Sequence, residues 1–524
     1  MKIILSILLF IILIAESLHS QVIQSWVHRY GSIPNGIATL AGLKTDKQGN
    51  VFIAGSIIDA TLTDYVTIKY NASGIQEWDR IFSGQIEDRA LDLVLDNNGN
   101  VIVTGLSENF TGTYDIITIK YNTCGDSLWV RRFNGATAFT MDQPVAIDAD
   151  KNGNVYVCGY SFGSAPTTFI TIKYNPAGDS LWVARNQVGE TALPVDIKTD
   201  NNANVIVYGR GARVMKFDTN GNPLWNRQYS FNAAESNKSI ATDASGNIYL
   251  AAYKNTSTFN DFAIVKLNPD GDTLWTRIRN GFGGSLATHD DSKAICLDNS
   301  GNVFLTGEIY NLNTYNFSTI KYNESGVFQW ERNYTSAQNG SGGNDIACDN
   351  SGNVYVTGGS GDYATIKYNS AGDSLWVIKY NGPANQNDIS MHLAIDGMNN
   401  ILISGRSVAS LSPVIYEFAT IRYSQTITAI NSLETTDHGF ILKQNYPNPF
   451  NPETVIEYAV PFKSHIKISL FDLLGRELIT VVNETKESGL YSAEINGENL
   501  AGGIYFYILQ TSGIKIVKKL NLIK

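Results

Sequence analysis

Cysteine is scarce: the 524 residues contain only 4, too few for a scaffold held together by disulfides. Charge is scarce too. Charged residues make up 17% of the chain, below the ~25% usual for soluble domains. Asp and Glu (49) outnumber Lys and Arg (39). A net charge of −10 lacks the basic face that nucleic acid needs, so no nucleic-acid partner is expected. This composition also excludes a collagen, a coiled coil and a disordered acidic tail. Beyond the N-terminus no apolar run reaches ~18 residues, so no transmembrane segment is expected.

The N-terminus reads as an address. Met1-Lys2 precedes an apolar run from Ile3 to Ala15, followed by Glu16 to Gln21. One early positive charge, a short apolar stretch and a small-residue exit make a secretory signal peptide over residues 1–20. Cleavage is expected after Ser20, with Ser17 as the other position.

The rest is repetitive. Asp-x-x-Gly-Asn-Val occurs from Asp46, Asp96, Asp150, Asp298 and Asp349, and recurs in varied form from Asp200, Asp243 and Asp396. Each copy holds four short segments rich in Val, Ile, Thr and Tyr, bounded by turn residues. Copy two shows them as Ala90 to Leu95, Val101 to Gly105, Tyr114 to Tyr121 and Ser127 to Phe133. Such segments are strands. Asp-x-x-Gly-Asn joins the first two, and Asn122-Thr-Cys-Gly-Asp126 shows the turn between the last two. Four-stranded meanders repeated around an axis predict a β-propeller.

Tryptophan predicts how the ring closes. All 8 Trp belong to fourth strands. Trp26 precedes the first copy, and the copy from Asp396 to Tyr423 has no Trp after it. Ser25 to Tyr30 therefore supplies the fourth strand of blade eight, which removes an open edge. The fold class expected is all-β: an eight-bladed β-propeller over residues 21–424, then a linker over 425–440. The last part, 441–524, holds several short alternating strands and reads as a small immunoglobulin-like β-sandwich.

Two resemblances follow from these motifs. The Asp-x-x-Gly-Asn-Val run, the Thr-Ile-Lys-Tyr-Asn strand and Gly-Asp-Ser-Leu-Trp resemble the SBBP β-propeller repeat of secreted and surface proteins. That family has no single activity, and its usual description names seven blades where eight copies are counted here. The tail resembles a type IX secretion C-terminal sorting domain of type A. The residues that carry this are Asn445-Tyr-Pro-Asn-Pro-Phe-Asn-Pro452, Leu470 to Gly475, Gly502 to Tyr507 and the basic Lys518, Lys519 and Lys524. The resemblance implies a bacterium of the Bacteroidota, Sec export through the periplasm, the type IX machinery as partner, and delivery to the outer-membrane surface or the medium.

Chemistry-bearing motifs are few. Gly159-Tyr-Ser161-Phe-Gly163 has a strand before it but leads into another strand, so it is no nucleophile elbow. The Asp turns offer too few oxygens for calcium. His289-Asp290-Asp291 reads as a loop cluster. Cys124, Cys158, Cys296 and Cys348 fall at different repeat positions. Cys296 and Cys348 should point to opposite sheet faces, so no disulfide is expected. No cofactor, metal site or catalytic residue is assigned, and the ligand-binding residues are unknown.

Each third strand carries one cation: Lys69, Lys120, Lys173, Lys216, Lys266, Lys321, Lys367 or Arg422. A feature that obeys repeat symmetry reads as structural, with each cation paired to a turn Asp or capped by carbonyls. Function is expected where the repeat varies, in the loops after second and fourth strands. The leading expectation is a non-enzymatic propeller that binds an extracellular protein or glycan through that face. The alternative is an extracellular hydrolase or lyase at the channel mouth.

Overall fold

In this computed structural model, residues 21–426 and 440–524 are described. Short stretches at 32–36, 59–61, 85, 111, 136–140, 163–166, 188–192, 234–238, 257–258, 280–289, 312–313, 336–341, 360, 446, 473–474 and 512–513 lie outside the description. The signal-peptide region and His289 also fall outside it. The chain divides into two compact units, one of them Val22–Gln425 and the other containing Thr426–Lys524.

The first unit is a ring of eight antiparallel sheets. Blade one comprises Ile37–Thr45, Val51–Ile58, Thr63–Tyr70 and Gln76–Phe82. Blade two comprises Asp88–Leu95, Val101–Glu108, Tyr114–Tyr121 and Ser127–Phe133. Blades three to seven follow the same order up to Tyr380. In blade five the first strand is split into Asn232–Ala233 and Ile240–Thr242, both paired with Ile248–Thr256. Blade eight takes Ile389–Ile395, Ile401–Leu411 and Val414–Thr426 from the end of the array and Gln21–Tyr30 from its start. First strands neighbour first strands around the whole ring, so they wall the central channel.

The turn chemistry explains the repeat. Asp46 Oδ1 accepts the N–H groups of Gln48 and Asn50 at 3.0 and 2.9 Å, and Oδ2 accepts Asn50 Nδ2 at 2.7 Å. Asp96, Asp150, Asp200, Asp243, Asp298, Asp349 and Asp396 repeat this bonding. The fourth turn residue has a positive φ, which glycine adopts without strain. In two copies other residues stand there, Ala203 (φ 60°) and Asn399 (φ 62°).

Blades are joined by a recurring clasp. The strand-three cation and the strand-four indole of one blade donate to a single main-chain carbonyl in the next blade's last turn. Thr123 O accepts Lys69 at 2.9 Å and Trp78 at 3.1 Å. Pro176 O accepts Lys120 and Trp129 at 3.3 and 3.1 Å. Ser370 O accepts Lys321 and Trp330 at 2.9 and 3.1 Å. Arg422 and Trp26 meet at Ala72 O in the same way, which carries the clasp across the closing seam. Turn glycines press on the indoles: a Cβ at Gly125 would sit 2.8 Å from Trp78. Trp78, Trp129 and Trp330 are nearly fully buried, and the other five tryptophans are half-buried at the same junctions.

The tail is a two-sheet sandwich. One sheet pairs Ile441–Leu442, Glu453–Val460 and Gly489–Asn496. The other orders Glu477–Lys486, Ser464–Phe471, Gly503–Thr511 and Ile514–Leu522. Leu442, Ile456 and Tyr458 meet Ile468, Leu470 and Tyr507 in its core. The Tyr507 hydroxyl accepts Asn445 N–H at 2.9 Å and donates to Lys443 O at 2.8 Å. Asn445 in turn donates to Pro447 O at 3.0 Å and Thr454 Oγ1 at 2.9 Å, which folds the Pro-rich lead onto the sandwich.

Candidate functional site: the channel mouth

The ring of strand-three cations is a packing feature. All eight are buried. Besides the clasp carbonyls, Lys120 pairs with Asp96 at 2.9 Å, Lys216 with Asp200 at 3.0 Å and Arg422 with Asp396 at 2.6 Å. Lys266, Lys321 and Lys367 also lie over the Tyr249, Phe304 and Tyr355 rings. Charges spent this way are not on offer to a polyanion.

The disulfide expectation is overturned. Cys296 and Cys348 are bonded, with Cα atoms 6.4 Å apart. The two residues do project from opposite sheet faces. In a propeller, however, neighbouring blades stack face to face, so opposite faces of blades six and seven look at each other. The same pair of positions in blades three and four is joined by Asp148 and Thr199, whose hydroxyl donates to Oδ2 at 2.9 Å. Cys158 is buried and Cys124 is an exposed free thiol.

Other sequence candidates stay dispersed. Ser161 sits in the strand Val155–Phe162, opposite Asp142 and Thr168, with another strand next along the chain. Asp290 is buried, and Asp291 lies opposite Glu308. Among the described residues no group of three or more His, Cys, Asp and Glu is placed to hold a metal ion.

What the geometry assembles is the channel mouth on the variable-loop face. Seven first strands carry a register shift at the same place, as between Leu40 and Gly42 or between Ala90 and Asp92. Such a β-bulge adds one residue and re-aims its side chain. The bulged residues line a cavity of about 850 Å³: Ala41, Leu91, Val145 and Val195 in blades one to four, and Lys293, Asn344 and Met391 in blades six to eight. Arg89, Arg210 and Tyr160 complete the rim. Arg210 reaches it because blade four replaces the second-to-third loop with a single 3₁₀ turn, Arg210–Ala212. The Tyr160 hydroxyl donates to Gln143 Oε1 at 2.7 Å, and Arg89 is paired with Glu87.

Below the mouth the channel narrows onto charges. Asp196, just past its bulge, accepts Ile197 N–H at 2.8 Å, then Ser239 and Ile240 N–H of the next blade at 2.8 and 2.9 Å. Asp92 and Asp345 staple blades two to three and seven to eight in the same way, through Ile147 and Leu393. Burial pushes the Asp196 carboxyl up to about 7, although Lys198 and the amide hydrogens pull it down. Burial likewise lifts Asp92 to about 6, against Lys44 and the Ile147 amide. Lys198 pairs with Asp148 at 3.3 Å and keeps 41% of its side chain open to the channel. Asp148, followed by burial as an opposing influence, raises the Lys198 ammonium above its ordinary value.

Two stretches match family models. Residues 128–164 match the β-propeller repeat SBBP, and residues 444–523 match the secretion system C-terminal sorting domain. The tail is a type IX sorting domain. It directs this propeller to the cell surface or the medium, with the type IX machinery as its partner on the way. Among curated proteins, the chain is 24% identical to an uncharacterized WD repeat-containing protein of Acanthamoeba polyphaga mimivirus, across 30% of this chain and 15% of that protein. Among solved structures it is similar to Sqt1 from Chaetomium thermophilum (7% identity, 76% of this chain, 100% of that one, TM-score 0.46). It is also similar to PorZ, a surface component of the type IX secretion system of Porphyromonas gingivalis (11% identity, 93% and 81%, TM-score 0.31).

Proposed function

We propose that this exported propeller is a non-enzymatic binding protein that captures an extracellular protein or glycan through its variable-loop face. The observation that carries the reading is the contrast between the two rims of the ring. One rim repeats a single turn design in every blade, while the other collects the loops that differ and the bulge residues that differ with them. Repeated positions serve packing, and residues that break the repeat are available for recognition. A hydrolase or lyase at the mouth would need converging carboxylates. The described lining of the mouth contains Arg89, Arg210 and Lys293, the polar side chains of Thr39, Tyr160, Asn344 and His392, and aliphatic groups, and no Asp or Glu.

The test is a screen of the purified protein on glycan arrays and against partner extracts, repeated after the loop at Arg210–Arg213 is replaced by a longer loop copied from blade two. A ligand bound by the original and lost by the replacement supports the reading. Capture that is indifferent to every variable loop, or turnover of an arrayed glycan, would remove it.

A further inference from the structure

We infer that the channel mouth seats an acidic sugar residue of an extracellular glycan, with the sugar carboxylate on Lys293. This rests on the loop-face reading above and goes beyond it by naming the ligand chemistry. Lys293 and Asn344 are the bulge residues of neighbouring blades, set by register shifts between Ser292 and Ala294 and between Gly343 and Asp345. Both line the cavity, so the same backbone device turns an ammonium and an amide into it from adjacent blades. Lys293 is half-buried, and among the described residues it makes no hydrogen bond or ion pair. The described lining holds no Asp or Glu to serve it. An ammonium drawn partly out of water without a partner gains when a carboxylate arrives.

The other polar groups of the mouth are planar and already held in place. Arg89 is paired with Glu87, and the Tyr160 hydroxyl donates to Gln143 Oε1. Asn344 Nδ2 donates to Ser390 O at 2.9 Å. Arg210 and His392 have partners within the protein as well. Such partners orient these groups without exhausting them. A guanidinium has five N–H donors, the Asn344 amide keeps its Oδ1, and a phenol oxygen that donates one bond can accept another. Side chains fixed in advance lose little freedom on binding. They suit neutral hydroxyls, which donate and accept, and only Lys293 is assigned to a charge.

The arrangement decides between a sugar and a peptide. An acidic peptide is gripped along one line, as an added strand or an extended segment in a groove. Here the polar groups circle the mouth: Arg89, Tyr160 and Arg210 in blades two to four, then Lys293, Asn344 and His392 in blades six to eight. A sugar ring carries hydroxyls around its whole periphery and matches such a circle. Its C–H faces pack on Tyr160 and on the aliphatic bulge residues Leu91, Val145 and Val195. Phe162 lies two residues beyond Tyr160, hence on the same face of their strand, and is exposed. It extends the aromatic platform outward for a following sugar. A cavity of about 850 Å³ falls in the range of ~300–1,000 Å³ typical of ligand sites.

The experiment uses the purified full chain and isothermal titration calorimetry. The probes are oligogalacturonate, oligomannuronate, a hyaluronan oligosaccharide and sialyllactose, the methyl ester of each, and a polyglutamate peptide. An acidic sugar should bind roughly tenfold or more tightly than its ester, and less tightly as salt rises because part of the attraction is screened. The peptide should not bind. Lys293→Met should bring the acid down to the level of its ester, with the ester's own affinity and the melting temperature unchanged, and Lys293→Arg should restore the difference. Asn344→Asp, which sets a carboxylate beside the ammonium, should narrow the same difference. Binding of the peptide in place of the sugars, equal affinity for acid and ester, no binding of any acidic sugar, or a difference untouched by both Lys293→Met and Asn344→Asp would overturn the inference. A ligand from the array screen that survives both substitutions yet is lost on loop replacement would remove this inference and leave the loop-face reading standing.

Discussion

Lys367 donates to the side-chain carbonyl of Gln425 at 2.5 Å, at the one blade junction where no main-chain carbonyl plays that part. The other seven cations reach a turn carbonyl of the following blade. Blade eight has no such turn, because its third strand runs on into the linker and its fourth strand is the start of the chain. Gln425 fills the gap and also donates to Tyr355 Oη at 2.8 Å and Asn399 O at 2.6 Å. Gln425→Ala should therefore lower stability by ~1–3 kcal/mol, the cost of leaving a buried polar group unpaired. Denaturant melts of the two proteins measure it, and equal midpoints would show that water serves Lys367 as well as Gln425 does.

The indole at that junction should respond less to substitution than the indole one junction earlier. Trp330 donates to Ser370 O at 3.1 Å, but the buried Trp376 N–H has no partner. Tryptophan to phenylalanine removes similar volume at both sites and a hydrogen bond at only one. Trp330→Phe is expected to cost ~1 kcal/mol more than Trp376→Phe, read from paired thermal melts.

Ala203 holds φ 60° where six other turns have glycine. An L-residue in that region pays ~1–2 kcal/mol. Ala203→Gly should raise stability by about 1 kcal/mol, less whatever the more flexible unfolded chain takes back. A lower melting temperature would mean that the buried Ala203 methyl packs better than its backbone is strained.

Much of the fold was legible because the repeat wrote it eight times. The missing Trp after Asp396 and the surplus Trp26 pointed to the shared blade, and the strand-three cations were correctly assigned to packing. The tail was readable as several short alternating strands, though not their limits: the strand from Gly503 runs on to Thr511. The Cys296–Cys348 bond was misread because parity was judged within one sheet, whereas in this ring the partner lies across the face. The mouth was only half visible. Arg210 and Lys293 lie at the ends of segments that break the repeat. Asn344 looked like an ordinary strand residue, and only its bulge turns it inward. Nothing in one repeat marks Asp196 as a staple, since most blades have a different residue at that position.

The buried channel acids predict a pH dependence. The folded state raises Asp92 to about 6 and Asp196 to about 7 from an ordinary 3.8. The folded protein thus binds their protons more tightly than the unfolded chain, so these two groups make stability fall as pH rises from about 4 to about 7. Burial depresses His28 below 6.5, which opposes that trend near neutrality. The lowered carboxyls of Asp96 and Asp200 act only in more acid solution. Asp196→Asn should flatten the slope of melting temperature between pH 5 and pH 8, values that bracket the folded-state titration of about 7. An unchanged slope would place the titration elsewhere.

The tail supplies a prediction in the cell. Deleting residues 441–524 should leave a folded propeller in the periplasm, since the ring closes without any strand from the tail. Fractionation and protease protection measure this. Surface delivery of the shortened chain would show that export does not depend on the sorting domain.

The seam also bears on where a chain of this kind can begin. Its two ends meet in blade eight, across a junction built like the other seven except for one glutamine. The order of blades along the polypeptide is therefore a free choice for the ring. A gene rearranged to join residue 425 to residue 21 through an Asn-Pro-Ala-Gly-Asp turn, and opened instead within the turn at Asn122, would be a circular permutant with the same eight blades. It would gain at Trp376 the carbonyl that the native arrangement gives up.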